Sequence, residues 1–399
     1  MSETSDYKKK PAGTPERARV QPFTELLAPV AATTKSESWN GIKLYVFEPK
    51  TNTVLLDIGG DSAHDPASLA KLAFFYVVQT AIRDEVIKPH DTLKVPDFSY
   101  TMRKNKSVTT QKLQAAYLKE GHALPVSELI DAMMVKSDNG AAQMLAAALE
   151  KKLEKSPIDL MNNLGLKSSR FSNVGGLPAD QDPDNTKPNE AKVTTARDMA
   201  TLIQRVQKEF PEAMATYMTK AEVTYDKKTH KANHFLLADN SALKLPEGYS
   251  VAAKTGFVNA SGHNIATIIT APDGNELVAV VLGSKRRWSI KEVKQLGIMS
   301  DAAINQDIVE NSVRGNRVRD ALVQQLAKHY LGEHNRAITL TAPSKEEVNI
   351  PATDAYKKLP AAVLKEVEAC GQKIETSDCQ KSEGAAVEST RLIKPVLTR

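Results

Sequence analysis

Ser68-Leu-Ala-Lys-Leu-Ala-Phe-Phe-Tyr-Val-Val78 is the stretch on which the fold turns. From Leu69 to Val78 it is apolar on nearly every face, the pattern of a helix buried inside a domain. It follows the turn-like His64-Asp65-Pro66-Ala67. A serine in the first helical turn lies near backbone N–H groups that have no intrahelical acceptor, and a lysine three residues on shares its face. The spacing therefore brings the Ser68 hydroxyl and the Lys71 amine together.

A serine hydroxyl is a weak nucleophile at neutral pH and must pass its proton to a nearby base as it attacks. Lysine serves as that base only when neutral. Burial at the foot of an apolar helix, with a second cation such as Lys254 close by, disfavours the ammonium form. The structural alternative is that Ser68 caps the helix and Lys71 snorkels to water. Ser5/Lys8 and Ser241/Lys244 repeat the spacing, but in a lysine-rich leader and in a short segment ending at Pro246.

Two further strings occur in fixed order after the first. Ser137-Asp-Asn139 separates two predicted helices, Val126–Val135 and Gly140–Leu149, and reads as a tight turn. Asp138 or Asn139 caps the second helix in the structural reading. In the functional one, Ser137 relays a proton and the Asn139 amide holds a substrate backbone, and the two are compatible. Lys254-Thr-Gly256 lies in Tyr249–Gly256, followed by the apolar runs Gly262–Thr270 and Glu276–Leu282 with an Asp273-Gly274 turn between them. These are strands of an antiparallel sheet. A strand carrying Lys254 and Thr255 can present its backbone to an extended peptide and its side chains to a carboxylate, and Gly256 permits close approach. The alternative is an edge lysine that guards against aggregation.

On these strings the chain, over roughly residues 38 to 300, resembles the penicillin-binding D-alanyl-D-alanine carboxypeptidases, low-molecular-mass serine peptidases of the β-lactamase/transpeptidase-like superfamily. The resemblance extends to Ile42–Phe47 with Thr53–Asp57, Met161–Leu166 with Phe171-Ser-Asn173, Thr194–Ala200 and Val280–Ser284. It implies an α/β fold in which an antiparallel sheet of N- and C-terminal strands is flanked by helices on both faces, with a mostly helical lobe between. The cleft lies where sheet and lobe meet. It also implies that Ser68 attacks the penultimate D-alanine carbonyl of a peptidoglycan stem peptide, with Lys71 as base. Ser137 returns a proton to the leaving amine, Asn139 orients the stem, and Lys254 with Thr255 binds the terminal carboxylate beside Gly256. The N–H groups of Ser68 and Phe257 form the oxyanion hole. β-Lactams act as covalent inhibitors, and the expected location is periplasmic or extracytoplasmic. Arg286 or Arg287 is a further carboxylate candidate or part of a solvated charge run.

The chain departs from the family pattern at several points. Ser137-Asp-Asn139 stands where Ser-Gly-Asn is common, the aspartate being typical of class A β-lactamases. Phe257 replaces a histidine after the Lys-Thr-Gly triplet, and Gly175-Gly-Leu177 replaces His-Gly-Leu. Slow release of the acyl-enzyme is the expected consequence. No Glu-x-x-x-Asn pattern stands between Gly176 and Thr194, where a β-lactamase carries its deacylating carboxylate; Asp180 and Asp184 lie in a loop-like Pro178–Asn189 stretch. A β-lactamase, a D,D-endopeptidase and a catalytically idle cell-wall-binding module are the alternatives.

The chain has 399 residues, 41% hydrophobic, with a net charge of +5, enough for one substantial domain with extra segments. The charge is spread along the chain, which argues against nucleic-acid binding. Residues 1–37 read as a polar leader, without the apolar core of a secretion signal. An extracytoplasmic site of action implies a signal already removed or a misplaced start. Residues 38–331 form the expected peptidase domain, with Lys291–Leu331 read as helical through Val313, Val318, Leu322, Val323, Leu326 and Tyr330. Residues 332–399 read as a flexible tail. Its end, Leu392–Leu397, is short and broken by Pro395, which leaves membrane association open. Cys370 and Cys379 lie in that tail and can close a small loop in an oxidising compartment. His230 and His234 have helical i, i+4 spacing without a third ligand, so no metal is expected. No phosphate loop appears, and no cofactor is expected.

Overall fold

The computed structural model describes residues 41–332, leaving out Phe98, Asn105, Lys106, 113–117 and 179–191. The chain begins with a hairpin of β1 (Lys43–Glu48) and β2 (Thr53–Ile58). A 3₁₀ turn at Ala67–Leu69 then leads into α1 (Ala70–Arg83), whose residues from Ala70 to Gln79 are all buried. Next come β3 (Thr92–Lys94), the hairpin β4 (Ser99–Lys104) and β5 (Ser107–Lys112), and β6 (Ala123–Pro125), which pairs back with β3. The lobe helices are α2 (Val126–Asp131), α3 (Asn139–Leu153) and α4 (Pro157–Asn162). They are followed by α5 (Ala196–Glu209), α6 (Pro211–Tyr217) and the hairpin β7 (Glu222–Tyr225) and β8 (Lys228–Lys231). The chain then returns to the sheet through β9 (Ser250–Val258), β10 (Gly262–Thr270) and β11 (Glu276–Ser284).

The central sheet has the order β2-β1-β11-β10-β9, antiparallel throughout, so N- and C-terminal strands are interleaved as expected. Side chains alternate between its faces with a period of two. Tyr45, Phe47, Ala252, Ala266, Ile268, Val278, Val280 and Leu282 join one core, shared with α1, α5 and the lobe. Leu44, Val46, Val251, Ala253, Ile265, Ile269, Leu277, Ala279 and Val281 join a second core on the opposite face. A sheet buried on both faces reads as near-continuous apolar strands, which is why β10 and β11 are so prominent in the sequence.

The helical reading of Lys291–Leu331 is corrected. The segment holds α7 (Ile290–Leu296), α8 (Asp301–Gln306) and α9 (Gly315–Leu331). A small sheet of β12 (Arg287–Ser289), β14 (Ser312–Arg314) and β13 (Ile308–Val309) interrupts them. Gly297 at φ +63° ends α7, Ser300 caps α8, and Val313 sits in a strand. Within α9, Val318, Leu322, Val323 and Leu326 pack on the second sheet face. His230 is also off a helix: it lies in β8 and stacks on Tyr225 at 4.1 Å. No group of three metal-ligating side chains occurs among the described residues. No described helix is long and apolar enough to cross a membrane. The leader, Asp180, Asp184, Cys370, Cys379 and the tail beyond Gly332 lie outside the described residues.

Candidate active site

Ser68 stands in the 3₁₀ turn that opens the buried helix, one residue after Ala67, whose φ of +46° is in the left-handed region. The Asp65 carboxylate holds this turn by accepting the Ala67 N–H at 2.8 Å. One helical turn on, Lys71 is fully buried. Its Nζ contacts three oxygens: Ser68 Oγ at 2.9 Å, Asn139 Oδ1 at 2.7 Å and the Gly175 carbonyl at 2.9 Å. Burial lowers the Lys71 pKa to about 7; Asp138 opposes the shift and Lys192 adds to it. The three contacts define what happens on deprotonation. A neutral amine keeps two N–H donors and gains one lone pair. The Asn139 and Gly175 oxygens can only accept, so the lone pair is left to face the Ser68 hydroxyl.

The second string is placed by an irregular helix. After Asp131 the chain makes a π-helical turn over Ala132–Lys136, which ends at Ser137 in the left-handed conformation, φ 63° and ψ 33°. Such one-turn insertions often mark functional sites. Asp138 then caps α3 by accepting the Ala141 N–H at 2.9 Å. Of the two capping candidates it is therefore Asp138 that holds the helix, which leaves the Asn139 side chain to Lys71. Ser137 Oγ accepts from Lys254 Nζ at 2.9 Å.

Lys254 projects from β9, the edge strand, and is fully buried. Its Nζ also donates to the Thr255 carbonyl at 2.7 Å. Burial holds its pKa far below the usual lysine range, with Lys71 and Arg319 adding to the effect. The free edge of β9 faces the site. Ala253 donates its N–H off the sheet to the Met218 carbonyl at 3.0 Å. Backbone direction alternates along a strand, so the Phe257 N–H points to that same edge. At Gly256 the strand approaches the nucleophile turn so closely that a Cβ would lie 3.0 Å from Pro66 O and 3.2 Å from Ser68 N.

These segments enclose a cavity of about 560 Å³ lined by Ser68, Ser137, Asn139, Thr255, Gly256 and Phe257, among others. Phe257 is 39% exposed at its mouth and stacks on His263, its cross-strand partner, at 4.2 Å. Of the eight residues singled out from the sequence, six line the cavity, and Lys71 and Lys254 lie buried behind it, in contact with Ser68, Asn139 and Ser137. Arg286 and Arg287 do not line it; Arg287 pairs with Glu310 at 2.6 Å. The arginine in the cavity wall is Arg319 of α9, paired with the fully buried Asp320 at 2.7 Å. It was missed because a charged pair inside an apolar helical run reads as a solvated face. The Gly175 carbonyl carries no side-chain signal at all.

Known proteins resemble this chain in sequence and in fold. The model of the D-alanyl-D-alanine carboxypeptidase family, peptidase S11, matches residues 31–286, well over half of the chain. D-alanyl-D-alanine carboxypeptidase DacC of Escherichia coli is 29% identical over 271 residues, covering 66% of this chain and 62% of that protein. DacA of the same organism is 28% identical over 237 residues, covering 58% and 53%. The chain thus spans between half and two thirds of the length of these relatives. In structure it resembles the D-alanyl-D-alanine carboxypeptidase DacD of Francisella tularensis, with a TM-score of 0.51 at 19% identity over 71% of this chain and 69% of that one. PBP3 of Streptococcus pneumoniae gives 0.52 at 23% identity over 60% and 64%. These likenesses establish the fold as that of the penicillin-binding proteins. With the family model spanning both flanks of the sheet and all three motifs, the chain belongs to the D-alanyl-D-alanine carboxypeptidase family.

Proposed function

We propose that residues 38–331 form a serine D-alanyl-D-alanine carboxypeptidase that removes the terminal D-alanine from peptidoglycan stem pentapeptides. The observation that carries this is the 2.9 Å contact between Ser68 Oγ and a buried Lys71 whose pKa is about 7. Burial thus shifts this amine toward its neutral, basic form near neutral pH. As Ser68 Oγ bonds to the penultimate carbonyl carbon, its proton passes to Lys71 Nζ. The developing oxyanion is met by the N–H groups of Ser68 and Phe257, an arrangement whose loss typically costs a few kcal/mol. The C–N bond then breaks, and Lys71 gives the proton back to the leaving amine, beside Ser137, whose hydroxyl is held by Lys254 at 2.9 Å. Water completes the cycle by releasing the acyl-enzyme.

Charge supports the substrate class. Arg319 lines the cavity, and Lys254 lies buried behind Ser137 and Thr255, so a carboxylate entering there meets the guanidinium and favours the protonated form of Lys254. Thr255 adds a hydroxyl, Asn139 aligns the stem, and the open edge of β9 accepts an extended backbone. The same geometry fits a β-lactam, whose carboxylate and strained carbonyl imitate the peptide. Stem peptides lie outside the cytoplasm, so the protein acts there.

The test uses the purified chain with a fluorescent penicillin and, separately, a pentapeptide muropeptide, with Ser68→Ala as control. Covalent label and D-alanine release in the parent, and neither in the variant, are expected. Muropeptide binding without release would mark an idle binding module instead.

A further inference from the structure

Lys192 lies outside every motif, yet it touches both walls of the nucleophile turn. It is held in place by backbone pairing of its neighbours: Val193 with Arg170 and Thr194 with His64. Its Nζ donates to the Gly176 carbonyl at 2.8 Å and pairs with Asp65 Oδ2 at 3.1 Å, with the side chain only 13% exposed. The other oxygen of Asp65 takes the Ala67 N–H. Gly176 follows Gly175, whose carbonyl receives both Lys71 and, at 3.4 Å, the Ser68 hydroxyl. One ammonium thus ties the residue before the nucleophile to the carbonyl segment on which the base rests.

We propose that Lys192 is a positioning residue for acyl transfer: it clamps the Asp65–Ser68 turn against Gly175–Gly176 and holds a positive charge beside Lys71. This rests on Lys71 acting as the base. The charged groups facing Lys71 are Asp138 from the turn before α3, Lys192 from the segment before α5, and Lys254 from β9; Asp65 faces Lys192. Asp138 favours the ammonium and Lys192 disfavours it, so Lys192 raises the share of free amine at a given pH.

The test is the pH profile of acylation by a fluorescent penicillin, from pH 5 to 10, for the parent, Lys192→Met, Lys192→Arg and Asp65→Asn, each with a thermal melt. The parent is expected to show an acid limb near pH 7. Lys192→Met is expected to move that limb up by about half to one pH unit, which makes acylation about three- to tenfold slower below it. Lys192→Arg keeps the charge and keeps the limb. Asp65→Asn removes a compensating anion and moves the limb down. A Lys192→Met limb at the parental pH overturns the proposal, as does an equal loss at every pH in both lysine variants. Should Lys192→Met fail to fold, Asp65→Asn decides alone: a downward limb supports the proposal and an unmoved or raised one overturns it. Absence of any Ser68-dependent label in the parent would instead refute the carboxypeptidase reading itself.

Discussion

Gly176 meets Ala67 so closely that a Cβ on the glycine would lie 1.7 Å from the Ala67 carbonyl oxygen. Both residues are in the left-handed region, Gly176 at φ +68° and Ala67 at +46°. For an L-residue that conformation costs roughly 1–2 kcal/mol, so Ala67 stores strain directly before the nucleophile and Gly176 is packed against it. Gly176→Ala is therefore expected to separate the two walls. Overpacking of this kind costs about 1–3 kcal/mol on top of the backbone strain. Penicillin labelling should slow by more than tenfold and the melting temperature should fall by several degrees. Parental labelling kinetics in this variant would mean that the contact does not govern the position of Ser68.

Lys71 is expected to weaken the fold that it serves. Its native pKa is about 7 against 10.5 for a freely solvated lysine, so between those values the unfolded chain binds a proton that the native one lacks. Stability then rises with pH across that window, by up to about 1.4 kcal/mol per unit. Below pH 7 the full cost is present, and above 10.5 it is gone. Lys71→Met removes this dependence: it should be inactive, more stable than the parent at pH 7, and nearly equal to it by pH 10. Urea midpoints at three pH values check this, and parallel curves for the two proteins would exclude it.

Arg319 should matter to the substrate through its terminal carboxylate. Deleting the guanidinium would strand buried Asp320, so Arg319→Lys is the informative change: it keeps a charge and loses the planar fork. A loss of about tenfold to a hundredfold in kcat/KM is expected for a stem with a free carboxylate. A C-terminally amidated stem should respond equally weakly in both proteins. Equal losses on both substrates would assign Arg319 to the fold alone.

Release of the acyl group should be slow. Asp138 is the one carboxylate among the described residues of the cavity wall, and it is occupied in capping α3. Phe257 offers no base, and His263 is too weak a base to activate water, its pKa lowered to about 3 by burial, Arg319 and Arg286. A chromogenic cephalosporin is expected to give a burst near one equivalent of protein followed by little turnover. Sustained rapid hydrolysis would point to a β-lactamase.

The parts legible in advance were those whose chemistry sits on one short segment. Ser68 and Lys71 are one turn apart on a helix, a cap at Asp138 or Asn139 is local, and the apolar runs of β10 and β11 follow from two buried faces. What escaped depends on contacts between distant segments. The π turn at Ala132–Lys136 has no local signature, because Ala, Met and Val suit either helix. Arg319 and Asp320 are legible only once α9 is laid against the second sheet face beside β10, where Arg319 donates to the Asn264 carbonyl at 3.3 Å. Lys192 is recognisable only beside Asp65 and Gly176. Between α7 and α9, Gly297 and Ser300 were the available signals, outweighed by a run of apolar positions that fits a helix as well as short strands.

The pairing of β1 with β11 joins Lys43 to Leu282, and Arg319 comes later still. A growing polypeptide therefore emerges from the ribosome with its nucleophile long before the strand and helix that complete the pocket. Until β11 and α9 have been made, β1 has no partner on its inner side and the pocket lacks Arg319, so a polypeptide truncated before them cannot assemble the site.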